Sequence, residues 1–101
     1  MWIEIKRKEF VNACKMLDVE TMKKILDELQ FNKTRCENVI DSYNKIFACA
    51  SHAGKWPVDF YGKEEYEIMQ EKQVNEKIKV RKSEELIDQI EAVISFLDKK
   101  G

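Results

Sequence analysis

Glycine and proline are confined almost entirely to one short segment of this chain. Residues 54–62, with the sequence Gly-Lys-Trp-Pro-Val-Asp-Phe-Tyr-Gly, contain the only proline and two of the three glycines. Because these residue types interrupt helices more strongly than any others, we expect the chain to turn here. The segments on both sides show the spacing of apolar residues that is typical of amphipathic helices. The sequence therefore predicts an all-α fold that reverses direction at 54–62.

Length and composition predict a single helical domain. A chain of 101 residues fits one domain, which we place at 1–101. Apolar residues make up 44% and charged residues 37%, a balance that suits well-solvated amphipathic helices and argues against disorder. We expect a small bundle of four to five such helices, with one crossover loop at 54–62.

The first predicted helix begins at about Lys6. Its apolar residues follow helical spacing as far as Leu17, whereas residues 1–5 are either extended or a frayed helical turn. Asp18 then has a suitable side chain to cap a second helix, because its carboxylate can accept hydrogen bonds from the first free N–H groups. The link between these helices is so short that they must be antiparallel neighbours or cross steeply. The second helix is expected to end near Gln30.

A third helix is predicted after a break at 31–33, where the sequence reads Phe-Asn-Lys. Thr34 followed by Glu37 matches the capping box, in which each side chain accepts a hydrogen bond from a backbone N–H near the other. The helix that follows has the strongest apolar periodicity in the chain. It should end at Gly54, since glycine readily adopts the left-handed conformation found just after a helix.

The segment 63–100 contains neither glycine nor proline. Its apolar residues are sparse as far as residue 80 and dense afterwards, and Ser83 with two following acids resembles an N-cap. One long helix and two helices with a break at 81–83 are both compatible with this pattern, and we favour two. In either arrangement the second half should be buried. The expected contacts join Leu86, Ile90, Val93 and Leu97 to Ile40, Phe47 and Leu26.

Charge and cysteine content argue against several classes of protein. Eighteen lysines and arginines oppose 19 acids, so the chain has neither the basic excess of a nucleic-acid binder nor the acidic excess of a polyanion mimic. Three cysteines without C-x-x-C spacing do not form a disulfide framework. The first residues become charged too early for a signal peptide, and no apolar run could span a membrane. These features predict a cytoplasmic protein with reduced thiols.

Catalytic and metal-binding patterns are missing from the sequence. Cys49 and His52 are three residues apart and could share a helix face, but a structural zinc site needs four ligands. Neither Cys14 nor Cys36 has a spacing that would complete the set. Glycine-rich phosphate loops, His-Glu-x-x-His helices and calcium loops are absent too. We therefore expect a protein that is not an enzyme, has no cofactor, and uses its cysteines as small core residues.

The turn itself contains the candidate binding residues. Trp56, Phe60 and Tyr61 provide large apolar surfaces of the kind enriched at binding hot spots. Lys55 and Lys63 flank them, so a small anionic ligand such as a nucleotide could also stack and pair there. Alternatively, Trp56 or Phe60 folds back and closes the end of the bundle, which is the commoner arrangement for such residues.

Three functions are compatible with these features. The leading hypothesis is a protein-interaction module: a small helical inhibitor, adaptor or regulator. Its partner would be another protein or a second copy of the chain, with the sparsely apolar helix at 63–80 as the dimer seam. Such chains, rich in Lys, Glu, Ile and Asn, are typical of AT-rich bacterial or phage genomes, so a phage-encoded inhibitor of a host system is one concrete form.

Two other functions stay open as alternatives. The first is a bundle that binds or sequesters a small anionic ligand, using the aromatic turn together with Arg35. The second, which is weaker, is a nucleic-acid-binding regulator that uses the cations of 77–82, although helical charge runs of this kind are usually solvated faces.

Overall fold

The computed structural model of the chain describes residues 2–100. Within these residues there are four helices and no strand, which confirms the all-α class. The helices are α1 (Trp2–Met16), α2 (Val19–His52), α3 (Pro57–Tyr61) and α4 (Lys63–Lys100). Two of them dominate, with 34 residues in α2 and 38 in α4. The molecule is correspondingly elongated and measures 60 × 22 × 14 Å.

The two long helices pack through a seam with the spacing of a coiled coil. Buried and half-buried residues recur at alternating intervals of three and four along both helices, which keeps the seam on one face. On α2 these residues are Met22, Leu26, Leu29, Lys33, Cys36, Ile40, Tyr43, Phe47 and Ala50. On α4 they are Tyr66, Met69, Gln73, Glu76, Val80, Ser83, Ile87, Ile90, Ile94 and Leu97.

Contacts along the seam show that α2 and α4 are antiparallel. In the first half of α2, the Lys33 ammonium lies 3.4 Å from a carboxylate oxygen of Glu84, which is in the second half of α4. Towards the end of α2, the ring of Phe47 meets that of Tyr66, near the start of α4, with centroids 5.4 Å apart. The pair is therefore a helical hairpin, and residues 53–62 connect its two arms.

Helix α1 packs on only one half of this hairpin. Its side chains complete a core in which Leu86 and Ile90 are fully buried, as the sequence predicts, with Val93 and Leu97 partly buried beside it. The expected contact with Leu26 is present at the edge of this core. The buried members are Ile3, Phe10 and Ala13 of α1, Met22, Ile25 and Leu29 of α2, and Leu86, Ile87 and Ile90 of α4.

The predicted contacts with Ile40 and Phe47 are wrong. Both residues are half-buried and lie outside that core, in the half of the hairpin where α2 and α4 pack without α1. The antiparallel arrangement explains this, because it places the later part of α2 beside the earlier part of α4. The hairpin thus has a three-helix half with a dense core and a two-helix half that ends in the turn.

A tight connection joins α1 to α2. Leu17 has a left-handed φ of 53°, its N–H bonds to the Cys14 carbonyl at 3.2 Å, and the Asp18 N–H bonds to the Ala13 carbonyl at 2.9 Å. This is the Schellman arrangement that ends many helices. The Asp18 carboxylate then accepts hydrogen bonds from the N–H and the hydroxyl of Thr21 at 3.1 and 2.6 Å. The predicted N-cap is confirmed, whereas α1 begins at Trp2 rather than at Lys6.

Both predicted breaks within the long helices are wrong. At 31–33 the helix continues, and the Thr34 hydroxyl donates to the Gln30 carbonyl at 3.1 Å inside α2 instead of capping a new helix. At 81–83 the helix continues too, and Ser83 is completely buried on the seam. Since neither segment contains glycine or proline, packing along the seam outweighs the weak helix propensities of Asn, Thr and Ser.

Candidate interaction surface

The turn begins with a second Schellman motif, at the end of α2. Gly54 has a φ of 73°, its N–H bonds to the Ser51 carbonyl at 3.0 Å, and the Lys55 N–H bonds to the Ala50 carbonyl at 3.0 Å. The helix thus stops where the sequence predicts. Here glycine occupies the left-handed position that Leu17 occupies at the end of α1.

The middle of the turn is the short helix α3. Trp56 is extended and precedes Pro57, which occupies the first helical position, where a missing N–H has no cost. The Trp56 carbonyl accepts hydrogen bonds from the N–H groups of Asp59 and Phe60, both at 3.0 Å. Gly62, with a φ of 90°, then allows the chain to reverse into α4. The predicted loop at 54–62 is therefore a structured turn with defined hydrogen bonds.

Tyr61 attaches this turn to the hairpin. Its hydroxyl donates a hydrogen bond of 2.6 Å to the backbone carbonyl of Ile46 in α2. Its ring meets that of Phe60 edge-on, with centroids 4.8 Å apart. Close to the turn, the rings of Phe47 and Tyr66 make a second edge-on contact across the seam. The Tyr61 hydrogen bond thus ties the turn to the end of the two-helix half, where an aromatic contact also joins the two arms.

Trp56 and Phe60 remain on the surface. Trp56 is 76% exposed and Phe60 is 44% exposed, so the expectation that one of them closes the bundle end is wrong. Tyr61 makes that contact instead, because its hydroxyl can pair with the α2 carbonyl that it reaches. Lys55 and Lys63 are exposed on either side. Of the five predicted site residues, four therefore lie at the surface and Tyr61 supports them.

Val58 is a surface residue that the sequence reasoning missed. It lies in α3 between Trp56 and Phe60 and is 36% exposed. A helix of five residues is too short to show apolar periodicity, so the sequence does not indicate which way Val58 faces. We call Trp56, Val58, Phe60 and the flanking Lys55 and Lys63 the aromatic turn surface.

A polar layer lies in the seam between the turn and the α1-covered half. The Gln73 amide donates to the Ile40 carbonyl at 3.2 Å and to the Asn44 side-chain oxygen at 2.7 Å. One turn of α2 closer to the α1-covered half, the buried Cys36 thiol is hydrogen-bonded to the Glu76 carboxylate. Polar residues at seam positions fix the register of paired helices at some cost in stability.

Electrostatics keep the Cys36 thiol neutral. Burial, reinforced by the hydrogen bond to Glu76, raises the pKa of Cys36 to about 11. The same hydrogen bond, together with the Lys79 ammonium at 3.1 Å, lowers the pKa of Glu76. The thiolate is the reactive form of cysteine, so this arrangement gives Cys36 a structural part in the seam rather than a nucleophilic one.

A groove of about 240 Å³ opens beside this polar layer, at the start of α1. Trp2 and Val39 form apolar walls, and Arg35, Glu76 and Lys79 supply charges. Arg35 therefore belongs to this groove. It precedes the end of α2 by almost five helical turns, about 25 Å. The ligand set that the sequence suggested, in which Arg35 joins the aromatic turn, is not brought together.

The other candidate clusters are dispersed. Cys49 and His52 are both exposed, and residues 2–100 contain no group of three or more side chains placed to hold a metal ion. In the basic segment 77–82, Lys79 is paired with Glu76 and Lys82 is half-buried, so its cations do not share one face. None of the helices described here combines the length and apolar character that crossing a bilayer requires.

Comparison of the chain with protein-family models, curated proteins and solved structures finds no match.

Proposed function

We propose that this chain is a non-enzymatic protein-interaction module, an inhibitor, adaptor or regulator that contacts another protein through the aromatic turn surface. The observation that carries this proposal is the 76% exposure of Trp56 on a turn whose backbone is held by hydrogen bonds. Tryptophan is among the residues that contribute most to binding when a partner covers them. A large indole left in water at a structured position is thus the strongest candidate for such a contact.

The composition of the surface supports a protein partner. Trp56, Val58 and Phe60 provide apolar contact area, and Lys55 and Lys63 provide a charged rim. Apolar and aromatic centres with polar rims are typical of protein interfaces. Because α3 is already ordered, binding would require little loss of backbone entropy.

A small anionic ligand is less well supported by this geometry. Ligand sites are usually concave and cover most of the ligand, whereas the indole of Trp56 projects into solvent. Tyr61, one of the side chains expected to hold such a ligand, uses its hydroxyl to bond Ile46. The aromatic turn surface therefore suits contact with a broad protein surface better than enclosure of a nucleotide.

Affinity capture with matched variants tests the proposal. The wild-type chain, the Trp56→Ala/Phe60→Ala variant and the Phe31→Ala variant would each be used as bait in an extract of the source cells. Phe31 is the control because it is 68% exposed on α2, away from the turn. We expect one protein to be retained by the wild type and by Phe31→Ala but lost with the double variant.

Binding of that protein in purified form gives the quantitative test. Trp56→Ala should raise the dissociation constant at least tenfold, as expected when a hot-spot side chain is removed. Phe31→Ala should leave it unchanged, and both variants should melt like the wild type. Equal binding by Trp56→Ala and wild type would contradict the proposal. If nucleotides raised the melting temperature of the wild type but not that of Trp56→Ala, the small-ligand alternative would be favoured.

A further inference from the structure

The groove of about 240 Å³ at the start of α1 is formed jointly by α1, α2 and α4. Trp2 comes from α1, Arg35 and Val39 come from α2, and Glu76 and Lys79 come from α4. It is separate from the aromatic turn surface, because Arg35 precedes the end of α2 by about 25 Å. We call it the Arg35 groove.

Arg35 supplies this groove with a positive charge that no acid neutralises. The acid in the lining is Glu76, whose carboxylate already accepts a hydrogen bond from the Cys36 thiol and pairs with the Lys79 ammonium at 3.1 Å. No residue of 2–100 forms an ion pair or hydrogen bond with the Arg35 guanidinium. Since two cations and one acid line the groove, it keeps one net positive charge.

The apolar wall of the Arg35 groove is accessible and restrained. Trp2 and Val39 leave 39% and 40% of their surfaces in solvent. The Lys6 ammonium lies 5.5 Å from the centroid of the Trp2 ring, and Lys6 is itself paired with Glu9 and Glu28. Because this cation–π contact already restrains the indole, a ligand packed on it would cost little further side-chain entropy.

Size and charge together define the class of ligand. The groove is smaller than the sites of about 300–1,000 Å³ that enclose drug-sized molecules, so it suits a smaller one. A guanidinium binds a carboxylate through two parallel hydrogen bonds. One net positive charge matches a monocarboxylate, whereas a dicarboxylate or a phosphate would bring a second negative charge towards Glu76.

We propose that the Arg35 groove binds a small monocarboxylic acid with an apolar or aromatic body. The carboxylate pairs with Arg35, and the body packs against Trp2 and Val39. Such a ligand contacts α1 and α2 together, so it stabilises the folded chain in proportion to its occupancy. This site is independent of the partner that the aromatic turn surface is proposed to bind.

A matched series of ligands tests the charge and the apolar body separately. Phenylacetate is the probe, phenylacetamide is its neutral counterpart, and acetate is a carboxylate without an apolar body. In a Trp56→Phe variant Trp2 is the only tryptophan, so its emission reports binding in the groove. We expect phenylacetate to bind with a dissociation constant below about 10 mM, and the other two compounds to bind at least about tenfold more weakly.

Arg35→Gln and its control Arg81→Gln test the residue that carries the proposal. Arg35→Gln should raise the dissociation constant of phenylacetate at least about tenfold and leave that of phenylacetamide unchanged. Arg81→Gln removes the same charge from an exposed position of α4 outside the groove, so it should change neither. Phenylacetate should also raise the melting temperature of the wild type and of Arg81→Gln, but not that of Arg35→Gln. Both positions are exposed, and urea unfolding would verify that the variants remain folded.

Three results would each overturn the proposal. The first is a dissociation constant for phenylacetate above about 10 mM. The second is equal binding of phenylacetate and phenylacetamide by the wild type, since the carboxylate would then contribute nothing. The third is an equal effect of Arg35→Gln and Arg81→Gln.

These outcomes are separate from those that test partner binding by the turn. Trp56→Ala/Phe60→Ala should bind phenylacetate like the wild type, and Arg35→Gln should retain any partner protein that the double variant loses. If phenylacetate changed the emission of Trp56 in a Trp2→Phe variant, and Trp56→Ala abolished its binding, the acid would bind at the turn and the Arg35 groove would be excluded.

Discussion

The hydroxyl of Tyr61 donates a 2.6 Å hydrogen bond to the backbone carbonyl of Ile46, and this bond ties the turn to α2. The two residues are 15 positions apart and belong to different helices. Since the bond holds α3 against the hairpin, it also determines which aromatic side chains remain in solvent. Tyr61 supports the turn, and Trp56 and Phe60 are left for a partner.

Removing this hydroxyl should weaken the turn. We expect Tyr61→Phe to lower the free energy of unfolding by about 1 kcal/mol, the usual net value of one such hydrogen bond. Urea unfolding measures this change. Tyr43→Phe is the control, because the Tyr43 ring stacks near Phe47 but its hydroxyl bonds no other residue of 2–100. Equal losses in the two variants would show that the Tyr61–Ile46 bond does not stabilise the turn.

Replacing Leu17 by glycine should stabilise the chain, in contrast to Tyr61→Phe. It holds a left-handed φ of 53° and is 68% exposed, so it has backbone strain and little packing. Glycine at this position should raise the free energy of unfolding by about 0.5–1 kcal/mol, after the entropy of a more flexible unfolded chain is subtracted.

The neighbouring residue is a suitable control for Leu17→Gly. Met16 is 80% exposed but helical, and Met16→Gly should lower the free energy of unfolding by about 1 kcal/mol. Thermal and urea unfolding would compare the two variants. If both substitutions destabilised the chain, the Schellman ending of α1 would be incorrect.

The three-helix half should depend strongly on Ile90. This side chain is fully buried between α1, α2 and α4, and Ile90→Ala should cost about 2–5 kcal/mol. Ile5→Ala removes the same atoms from a position that is 55% exposed and should change stability by less than about 0.5 kcal/mol. A cost below about 0.5 kcal/mol for Ile90→Ala would mean that the end of α4 does not pack in this core.

The Cys36 thiol should be unreactive while the chain is folded. With a pKa of about 11, only about one thiol in a thousand is ionised at pH 8. In a Cys14→Ser/Cys49→Ser variant, a thiol reagent should react with Cys36 at least about a hundredfold more slowly than with exposed Cys49 in a Cys14→Ser/Cys36→Ser variant. Comparable rates would contradict the buried position of Cys36.

The raised pKa of Cys36 also predicts the direction of a pH effect. The unfolded thiol, with a pKa near 9.0, ionises before the folded one. Stability from the neutral buried thiol is therefore complete below pH 9 and is lost as the pH rises through about 11. Cys36→Ala should remove this part of the alkaline loss, which urea unfolding between pH 8 and pH 11 would show.

Helix class and end points could be predicted from the sequence where a strong local signal exists. Asp18 and Gly54 mark helix ends because their side chains, or the lack of one, satisfy specific backbone requirements. The burial of Leu86 and Ile90 follows from dense apolar spacing.

The continuity of the long helices could not be predicted from apolar residues alone. Polar side chains occupy seam positions at Lys33, Gln73, Glu76 and Ser83, and they interrupt the apolar pattern without interrupting the spacing of three and four. When polar and apolar seam residues are counted together, the intervals of three and four continue without a gap through 31–33 and 81–83. Three of these residues, Lys33, Gln73 and Glu76, are tolerated because they bond to side chains of the other arm, which no local pattern specifies. The Ser83 hydroxyl is buried without a hydrogen-bond partner.

Composition indicates where the candidate site lies, but it does not indicate the role of each residue there. Aromatic content identified the turn, yet it could not distinguish Tyr61, which anchors, from Trp56, which is exposed. That difference depends on which side chain can reach the Ile46 carbonyl, a contact between helices that no local pattern specifies.

The access of a neutral quencher to Trp56 in the isolated protein tests the aromatic turn surface most directly. A Trp2→Phe variant reports Trp56 alone, and a Trp56→Phe variant reports Trp2, which is 39% exposed. We expect acrylamide to quench Trp56 more strongly than Trp2, and Trp56 to emit at the longer wavelength, as an indole in water does. A Trp56 that is protected from acrylamide and emits at the shorter wavelength would show that the turn packs inward, and would contradict the aromatic turn surface.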